Sequence, residues 1–459
     1  MGVKMDKKEH IQATTSDQRS MSKWDMFATW IGANANNGTW YIGGVIAAVG
    51  LIKASSLLVI VGSVSYVLLA LASYMGYKTG LPAMALTRPS FGVKGSILPS
   101  IVNVIQFIGW AAINTFIAAT SISFILKDIL GWDNSAFHNQ FSIIIGIVVM
   151  SILHLISISL GEKSVKWIER FGIILVIILV VWESVVVLKT VPFHDIVKWQ
   201  PAAKFQLPSG KIVDILAAFN LAWVTAAADF SRFTKDKHAA TTASFLGANI
   251  GLFWFAFIGL IATIATAITI NKFDPNNADP STIAAKLGLG ILAMLVIVIT
   301  STTANAVNLM AAGSALTNIF HRLKLTPALW IVTLVATVMT FIPVYIASFL
   351  TTFETFLDGI GMFLGPEIAI FLIDFFLIRN KHYSVDQFSK PQGSYWYTKG
   401  INPIAIITWI TGVLSYLGLN KLSFIVSTVG ATFPAMIITA ICYYLATRLI
   451  NSTAPQKNK

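Results

Sequence analysis

Twelve apolar stretches, each long enough to cross a lipid bilayer, follow one another along the 459 residues of this chain. A transmembrane helix needs about 20 predominantly apolar residues. Soluble domains are roughly 25% charged, whereas this chain is 11% charged and 56% hydrophobic. We therefore predict an all-α polytopic membrane protein with about 12 transmembrane helices. The stretches lie near 27–50, 55–77, 97–126, 141–160, 170–188, 212–231, 243–270, 289–318, 327–347, 353–378, 401–419 and 423–447.

The spans leave room for one membrane domain between two short tails. We predict a cytoplasmic N-terminal tail over 1–26, a single transmembrane domain over 27–447 and a cytoplasmic C-terminal tail over 448–459. The segment before Trp24 is polar and no small-residue cleavage pattern follows the first span, so we expect that span to be retained. The single cysteine, Cys442, excludes an intramolecular disulfide and a CxxC-type zinc or thiol site.

Basic residues give the chain a formal net charge of +12, but they are scattered between the apolar stretches. A nucleic-acid-binding groove would need them clustered, so nucleic acid is not an expected partner. With the N-terminus inside, about 23 of the 32 Lys and Arg fall on the cytoplasmic side. This distribution predicts a multi-pass protein of the cell membrane with both termini cytoplasmic.

The first span carries an unusual polar cluster near its middle. Asn34, Asn36 and Asn37 lie within four residues, and Gly38 completes an Asn-Gly turn dipeptide. Such groups are costly in a continuous lipid-facing helix, whereas an interrupted helix leaves backbone carbonyls free to coordinate a cation. The alternative is that the asparagines only form hydrogen bonds with neighbouring helices.

The third span places its polar residues at helical spacing. Asn103, Gln106, Trp110 and Asn114 fall on one face, where an indole above a row of amides would stack a planar ring and hydrogen-bond its edge. The alternative is that these side chains only join neighbouring helices.

The sixth span also departs from a plain apolar helix, because small and polar residues fill 220–229 around Trp223. The first and sixth spans open two five-helix halves, and breaks at corresponding positions of two halves are the best sequence pointer to a transporter site. The alternative is a tight helix–helix contact with Trp223 facing lipid.

The eighth span holds two adjacent hydroxyl residues, Thr302 and Thr303, in its polar stretch over 300–308. Hydroxyl oxygens are suitable ligands for a small hard cation. Threonines in helices also often bond the carbonyl one turn back, which is the simpler interpretation of the pair.

The tenth span contains several acidic residues, which are rare inside membrane-spanning segments. Glu354 and Asp358 are one turn apart, the Gly-Pro-Glu run at 365–367 is expected to interrupt the helix, and Asp374 lies near its end. Intramembrane carboxylates are candidates for proton relays. The alternative is that these carboxylates have a structural role or lie at the rim of the outer mouth. We expect Asp374 to be an anchor at the membrane interface.

Four motifs in the chain resemble the nucleobase:cation symporter-1 family, which contains cytosine, purine, allantoin and hydantoin permeases. The resemblance extends over about 25–445. The motifs are TRPSFGVKGS at 87–96, QFIGW at 106–110, ADFSRF at 228–233, and Gly365-Pro366 with Asp374.

The resemblance implies a LeuT-like fold of two inverted five-helix repeats, at about 27–188 and 212–378, followed by two peripheral helices within 401–447. It also implies uptake coupled to Na+ or, in other branches of the family, to H+. In sodium-coupled relatives the ion lies between the first and eighth spans. By match to their motif, the implied Na+ ligands are Gly32, Ala35, Ile299, Thr302 and Thr303.

The same resemblance implies a substrate site. Trp110 would stack the substrate ring, Asn114 would lie one turn beyond it, and Trp223 would face it across the cavity. The eighth-span asparagine that binds the ring edge is either Asn305 or Asn308. Asn36 replaces an aromatic residue of cytosine-type relatives, so the pocket is expected to be more polar than theirs.

We therefore expect a secondary active transporter, not an enzyme, that imports a nucleobase-like heterocycle with Na+. Its expected partners are this small molecule and the lipid bilayer, it needs no organic cofactor, and it functions as a monomer. A proton-coupled permease using Glu354, Asp358 or Glu367 is the nearest alternative. A channel or polytopic enzyme is a more distant one, because the sequence has no filter, Walker A, HExxH or GxSxG pattern.

Overall fold

The computed structural model describes residues 13–133, 135–159, 162–320 and 322–453, and these are almost entirely helical. We number the principal helices in chain order. They are α1 (Lys23–Asn34), α2 (Asn37–Ile46), α3 (Leu51–Thr79), α4 (Ile97–Leu130), α5 (Ala136–Ser159), α6 (Glu162–Thr190), α7 (Ser209–Val224), α8 (Ala227–Ser231), α9 (Ser244–Thr269), α10 (Pro280–Lys286), α11 (Gly290–Ile319), α12 (Leu325–Thr340), α13 (Phe349–Ile373), α14 (Pro403–Leu419) and α15 (Thr432–Thr453).

These helices confirm the prediction of about twelve spans. Within the described part of the chain, nine helical segments are long and apolar enough to cross a membrane. The other three predicted spans are the first, which is divided into α1 and α2, the fifth, which is α6, and the eleventh, which is the 17-residue α14.

The first span is interrupted, as its asparagine cluster predicts. Ala35 leaves helical geometry with ψ of 65°, and Asn36 is extended with φ of −143° and ψ of 164°. The Asn36 amide serves both helix ends: its Nδ2 donates to Ala33 O over 2.7 Å, and its Oδ1 accepts from Thr39 N over 3.0 Å. One side chain thus terminates α1 and caps α2.

The other two asparagines of the cluster join helices, so for them the packing interpretation applies. Asn34 Oδ1 accepts from Tyr66 OH over 3.0 Å. Asn37 Nδ2 lies 2.9 Å from Ser301 Oγ and 3.0 Å from Thr300 Oγ1. These bonds fix the two halves of the first span against α3 and α11.

The sixth span is interrupted at Thr225 and Ala226, between α7 and α8. Two polar residues of α4 hold this break. Gln106 Nε2 donates to Thr225 Oγ1 over 2.7 Å, and Thr225 Oγ1 donates to Asn103 Oδ1 over 2.8 Å. The predicted polar face of the third span is therefore divided, because Asn103 and Gln106 join helices as in the alternative interpretation.

One prediction about the tenth span is wrong. The Gly-Pro-Glu run at 365–367 does not interrupt it, since α13 is continuous from Phe349 to Ile373 with Pro366 inside. Pro366 packs on α14 at Gly412, where an added Cβ would lie 2.7 Å from the proline Cβ. Neighbouring helices can support a proline within a transmembrane helix, and this close contact does so here.

The twelfth span also differs from its predicted bounds. α15 begins at Thr432 rather than near 423, and a separate short helix, Ser423–Ser427, precedes it. Gly430 makes the turn between them with φ of 71°, a left-handed conformation that glycine adopts without strain.

Two groups of helices pack around the interruptions. In the first, α9 contacts α1, α2 and α3, and α3 contacts α7; in the second, α4, α5, α11 and α12 contact one another, while α13, α14 and α15 pack together beside them. The interruptions of the first and sixth spans lie where these two groups meet.

Candidate substrate and cation site

A cavity of about 70 Å³ lies beside the two interruptions. It is bounded by both groups of helices, and its described lining contains no titratable side chain. The lining residues are Thr29, Gly32, Ala33, Ala35, Asn36, Phe107, Trp110, Asn114, Phe219, Ala222, Trp223, Phe230, Thr303, Ala304, Val307 and Asn308. The cavity is therefore electrically neutral apart from backbone dipoles.

Trp110 forms one wall of the cavity and is held by aromatic neighbours. Its ring lies edge to face with Phe219 and with Phe356, each at a centroid distance of 5.2 Å. Gly38 at the start of α2 approaches the indole, since a Cβ there would lie 3.8 Å from Cζ3. The indole Nε1 is buried and has no hydrogen-bond partner among the described residues. The ring is fixed in place by packing, with its polar atom unused.

Asn114 provides an unused acceptor one turn along α4. Its Nδ2 donates to Trp110 O over 3.1 Å, while its Oδ1 is buried and accepts no hydrogen bond from any residue that the structure describes. A buried acceptor without a partner costs free energy, which a ligand N–H would recover.

Trp223 also lines the cavity, from the last turn of α7. Its ring is 6.2 Å from Trp30 in an edge-to-face arrangement. The structure thus places it in the protein interior rather than against lipid, which was the alternative interpretation of this residue.

The eighth-span asparagines have different surroundings. Asn308 lines the cavity. Asn305 is absent from the lining and fully buried: its Nδ2 donates to Ala111 O over 2.9 Å and to Thr115 Oγ1 over 3.0 Å, and lies 3.2 Å from His154 Nε2. Asn308 is accordingly the residue with access to a ligand.

The predicted cation ligands fall into two sets. Gly32, Ala35 and Thr303 line the cavity together, where α1 ends against α11. Thr302 and Ile299 are on the same helix as Thr303 but are not part of the lining. Thr302 Oγ1 donates to Val298 O over 2.9 Å, the bond that the simpler interpretation of the pair expects.

Backbone and hydroxyl oxygens near the first-span break fit a small hard cation. α1 ends here, so its C-terminal carbonyls carry the negative end of the helix dipole. Thr303 Oγ1 donates to Thr300 O over 2.7 Å, and its lone pairs remain free to accept a ligand. Thr303 also packs on Gly172 of α6, where an added Cβ would lie 2.6 Å from Oγ1.

The tenth-span carboxylates lie outside the central cavity. Asp374 accepts from Tyr383 OH over 2.8 Å and from Tyr443 OH over 2.9 Å, which makes it an anchor between α15 and the loop after α13. Glu367 is 1% exposed, and neither of its carboxyl oxygens has a hydrogen-bond partner among the described residues.

Sequence reasoning missed the buried carboxyl of Glu183 in α6, which accepts a hydrogen bond from Trp40 Nε1 over 2.7 Å. A single glutamate in a long apolar stretch was the only available signal.

Comparison with known proteins gives the family. A profile described as "Permease for cytosine/purines, uracil, thiamine, allantoin" matches residues 13–443. The chain belongs to the nucleobase:cation symporter-1 family. It is a permease of the nucleobase, allantoin and hydantoin type, not an enzyme.

Individual relatives agree with this assignment. A purine-uracil permease of Arabidopsis thaliana is 25% identical, over 95% of this chain and 77% of its own length. The allantoin permease of Bacillus subtilis is 23% identical, over 88% of this chain and 86% of its own.

Solved structures support the fold. Mhp1, a nucleobase-cation-symport-1 transporter described in a closed conformation with bromovinylhydantoin, superposes with a TM-score of 0.77 at 18% identity, covering 98% of this chain and 97% of its own. A Na+-coupled sialic acid symporter superposes with a TM-score of 0.52 at 15% identity, covering 96% of this chain and 99% of its own. The LeuT-like fold predicted from the sequence is confirmed.

Proposed function

We propose that this permease imports a neutral, planar nitrogen heterocycle by Na+ symport. The observation that carries the proposal is the central cavity, which combines the Trp110 ring and unused amide and indole groups with an uncharged lining. A charged substrate in such a site would lose its hydration without gaining a counter-charge. A neutral ring with an N–H and C=O edge would satisfy the groups that the cavity leaves free.

In this proposal each lining residue has a distinct role. Trp110 stacks the ring and Trp223 closes the opposite side. Asn114 Oδ1 accepts an N–H of the substrate, the Asn308 amide bonds another part of its edge, and Asn36 contributes polarity at the first-span break. The purine-uracil and allantoin relatives transport compounds of this chemical class by their names.

Na+ is the proposed coupling ion, held by Gly32, Ala35, Ile299, Thr302 and Thr303. Support comes from the cavity position of three of these residues and from an all-oxygen set of donors. The bound cation would bridge α1 and α11, one from each packing group, and so favour the conformer that also binds substrate. Alternating access then follows as one group of helices rocks against the other.

Proton coupling is the second candidate, because Glu367 is 1% exposed and its carboxyl has no hydrogen-bond partner in the part of the chain that the structure describes. We further propose that both termini are cytoplasmic, that the transporter resides in the cell membrane and that the monomer is active.

A thermal-shift screen of the purified protein tests the proposal. Cytosine, uracil, purines, allantoin and hydantoins are added with Na+ or with choline at constant ionic strength. A binding ligand stabilises the folded state in proportion to its occupancy. We expect at least one of these rings to raise the melting temperature more with Na+ than with choline. Stabilisation only by charged compounds would contradict the proposal.

A further inference from the structure

Glu183, in the fifth span, is a carboxyl buried away from the central cavity. It is 4% exposed, and its one hydrogen bond within the described structure comes from Trp40 Nε1 at 2.7 Å. Trp40 is itself 4% exposed and belongs to α2. The carboxyl therefore faces the half of the first span that follows the interruption.

A separate small cavity of about 10 Å³ adjoins this carboxyl. By volume it has room for roughly one water molecule, too little for a hydrated metal ion. Apart from the polar residues Asn37, Trp40 and Glu183, its walls are apolar, and it shares no lining residue with the central cavity. The apolar lining residues are Val176, Leu179, Val180, Pro280, Ala284, Leu289 and Ile297.

The helices packed around Glu183 bring no cation to it in the described structure. α9 and α11 contain no titratable residue. On α2 the one such group is Tyr41, whose ring packs on Phe349. At the end of α10, Lys286 Nζ is directed to Asn277 O over 3.3 Å.

The remaining neighbours also leave Glu183 without a charged partner. Asp279, which precedes α10, accepts from Thr282 N over 3.0 Å. On α5, His154 lies beside Asn305 and His138 beside Asp133. Lys189 on α6 itself is exposed.

The position of Trp40 is set by close backbone packing. A Cβ at Gly259 of α9 would lie 2.0 Å from Trp40 O, and one at Gly43 would lie 1.9 Å from Ala256 O. α2 is thus held against α9, and its indole reaches across to α6. Separation of α2 from α6 would break the Trp40–Glu183 bond and admit water to the carboxyl.

We propose that Glu183 is a proton-binding site. An ionised carboxylate is costly inside a membrane protein without a cation or several donors, and within the described structure Glu183 has one donor, the Trp40 indole N–H. The carboxyl takes up a proton when α2 docks on α6 and gives it back to water when the two separate. Acid therefore favours the docked arrangement. The proposal does not depend on the identity of the substrate or on Na+ coupling.

The distance between α3 and α6 near the end of α2 reports this docking. We would place spin labels at Lys53→Cys and Lys189→Cys, both exposed, in a Cys442→Ala background in lipid nanodiscs. Double electron–electron resonance is then recorded between about pH 6 and about pH 9, a range that includes values at which an ordinary carboxyl is fully ionised. No substrate is added, so failure of the transport proposal does not affect the result.

We expect the short-distance population to fall as the pH rises, and Glu183→Gln to abolish this response while remaining docked. Glu183→Asp, which keeps a carboxyl, should restore the response, and Asp195→Asn, an exposed carboxylate after α6, should leave it unchanged. An unaltered response in Glu183→Gln, or none in the parent protein, would overturn the proposal. Infrared pH-difference spectra give a second readout: the parent should show a protonated-carboxyl band that Glu183→Gln lacks and Glu183→Asp shifts, and its absence from the parent would also overturn the proposal.

Discussion

Lys211 Nζ lies 2.8 Å from both carboxylate oxygens of Asp358, so an ion pair joins α7 to α13. Tyr416 OH adds a longer hydrogen bond of 3.4 Å to the same carboxylate. Asp358 therefore has a cationic partner on another helix, which is a structural role. A residue that carries a coupling proton must instead change its protonation in every cycle.

We therefore expect Asp358→Asn and Glu354→Gln to retain substrate accumulation driven by a Na+ gradient. Both lie outside the central cavity, so neither the proposed cation ligands nor the ring contacts change. Uptake into proteoliposomes with equal pH on both sides measures this. Loss of accumulation in either variant, with protein incorporation unchanged, would favour proton coupling.

Replacing Thr302 and Thr303 together by Val should remove Na+-stimulated substrate binding. Valine is close to threonine in shape but has no hydroxyl oxygen to offer a cation. Of the two single variants, Thr303→Val should weaken Na+-stimulated binding more than Thr302→Val, because Thr303 lines the cavity and Thr302 does not. Titration calorimetry with and without Na+ measures both.

Thr317→Val is the matched control, since Thr317 lies on the same helix and its hydroxyl bonds a carbonyl one turn back, as that of Thr302 does. If Na+ still stimulates substrate binding in the double variant, the two hydroxyls are not cation ligands.

Trp110→Ala should weaken substrate binding while leaving the Na+ ligands in place. Stacking of a base on an aromatic ring is worth about 1–3 kcal/mol. This corresponds to roughly 5- to 150-fold in affinity. Trp110→Phe should lose less, because it keeps a ring. Equal affinity in all three proteins would mean that the ring binds elsewhere.

Substitutions of the two eighth-span asparagines should have different effects, one on substrate affinity and the other on thermal stability. Asn308→Ala should lower substrate affinity with little change in melting temperature. Asn305→Ala removes the donor to the Thr115 hydroxyl and one of the donors to the Ala111 carbonyl, which still accepts from Thr115 Oγ1 over 2.7 Å, so we expect a cost of about 1 kcal/mol. Parallel melting and binding curves test this, and the reverse pattern would exchange the two roles.

Close packing of α2 on α9 predicts that Gly43→Ala destabilises the protein. Its Cβ would lie 1.9 Å from Ala256 O and 2.7 Å from Leu260 N, both backbone atoms that cannot rotate away. Overpacking of this kind typically costs about 1–3 kcal/mol. Gly359→Ala on α13 is the control, since no described residue beyond its own helical turn lies within 4 Å of its Cβ. Equal thermal stability of the two variants would contradict this packing.

The sequence predicted the spans and the first-span break because both depend on local composition. Asn36 and Asn37 are adjacent polar residues followed by glycine, a local signal of an interruption. Pro366 is an equally strong local signal of a break, yet α13 continues through it. Pro366 packs on Gly412 of α14, and the residues around the proline in the sequence do not reveal that contact.

Contacts between distant segments could not be predicted in this way. Trp40 and Glu183 are 143 positions apart, and neither residue identifies the other as its partner. Asn305 and Asn308 differ by three positions, which on a helix is a rotation of about 60°. Only the packing of α11 against α4 determines which of the two amides meets the cavity.

Accumulation of a radiolabelled ring in proteoliposomes, under either a Na+ gradient at equal pH or a pH gradient without Na+, distinguishes Na+ symport from proton symport. The ring is the one that stabilises the protein best in the thermal-shift screen. We expect concentrative uptake with the Na+ gradient and only equilibration with the pH gradient. Uptake that ignores Na+ and follows the pH gradient would contradict this expectation.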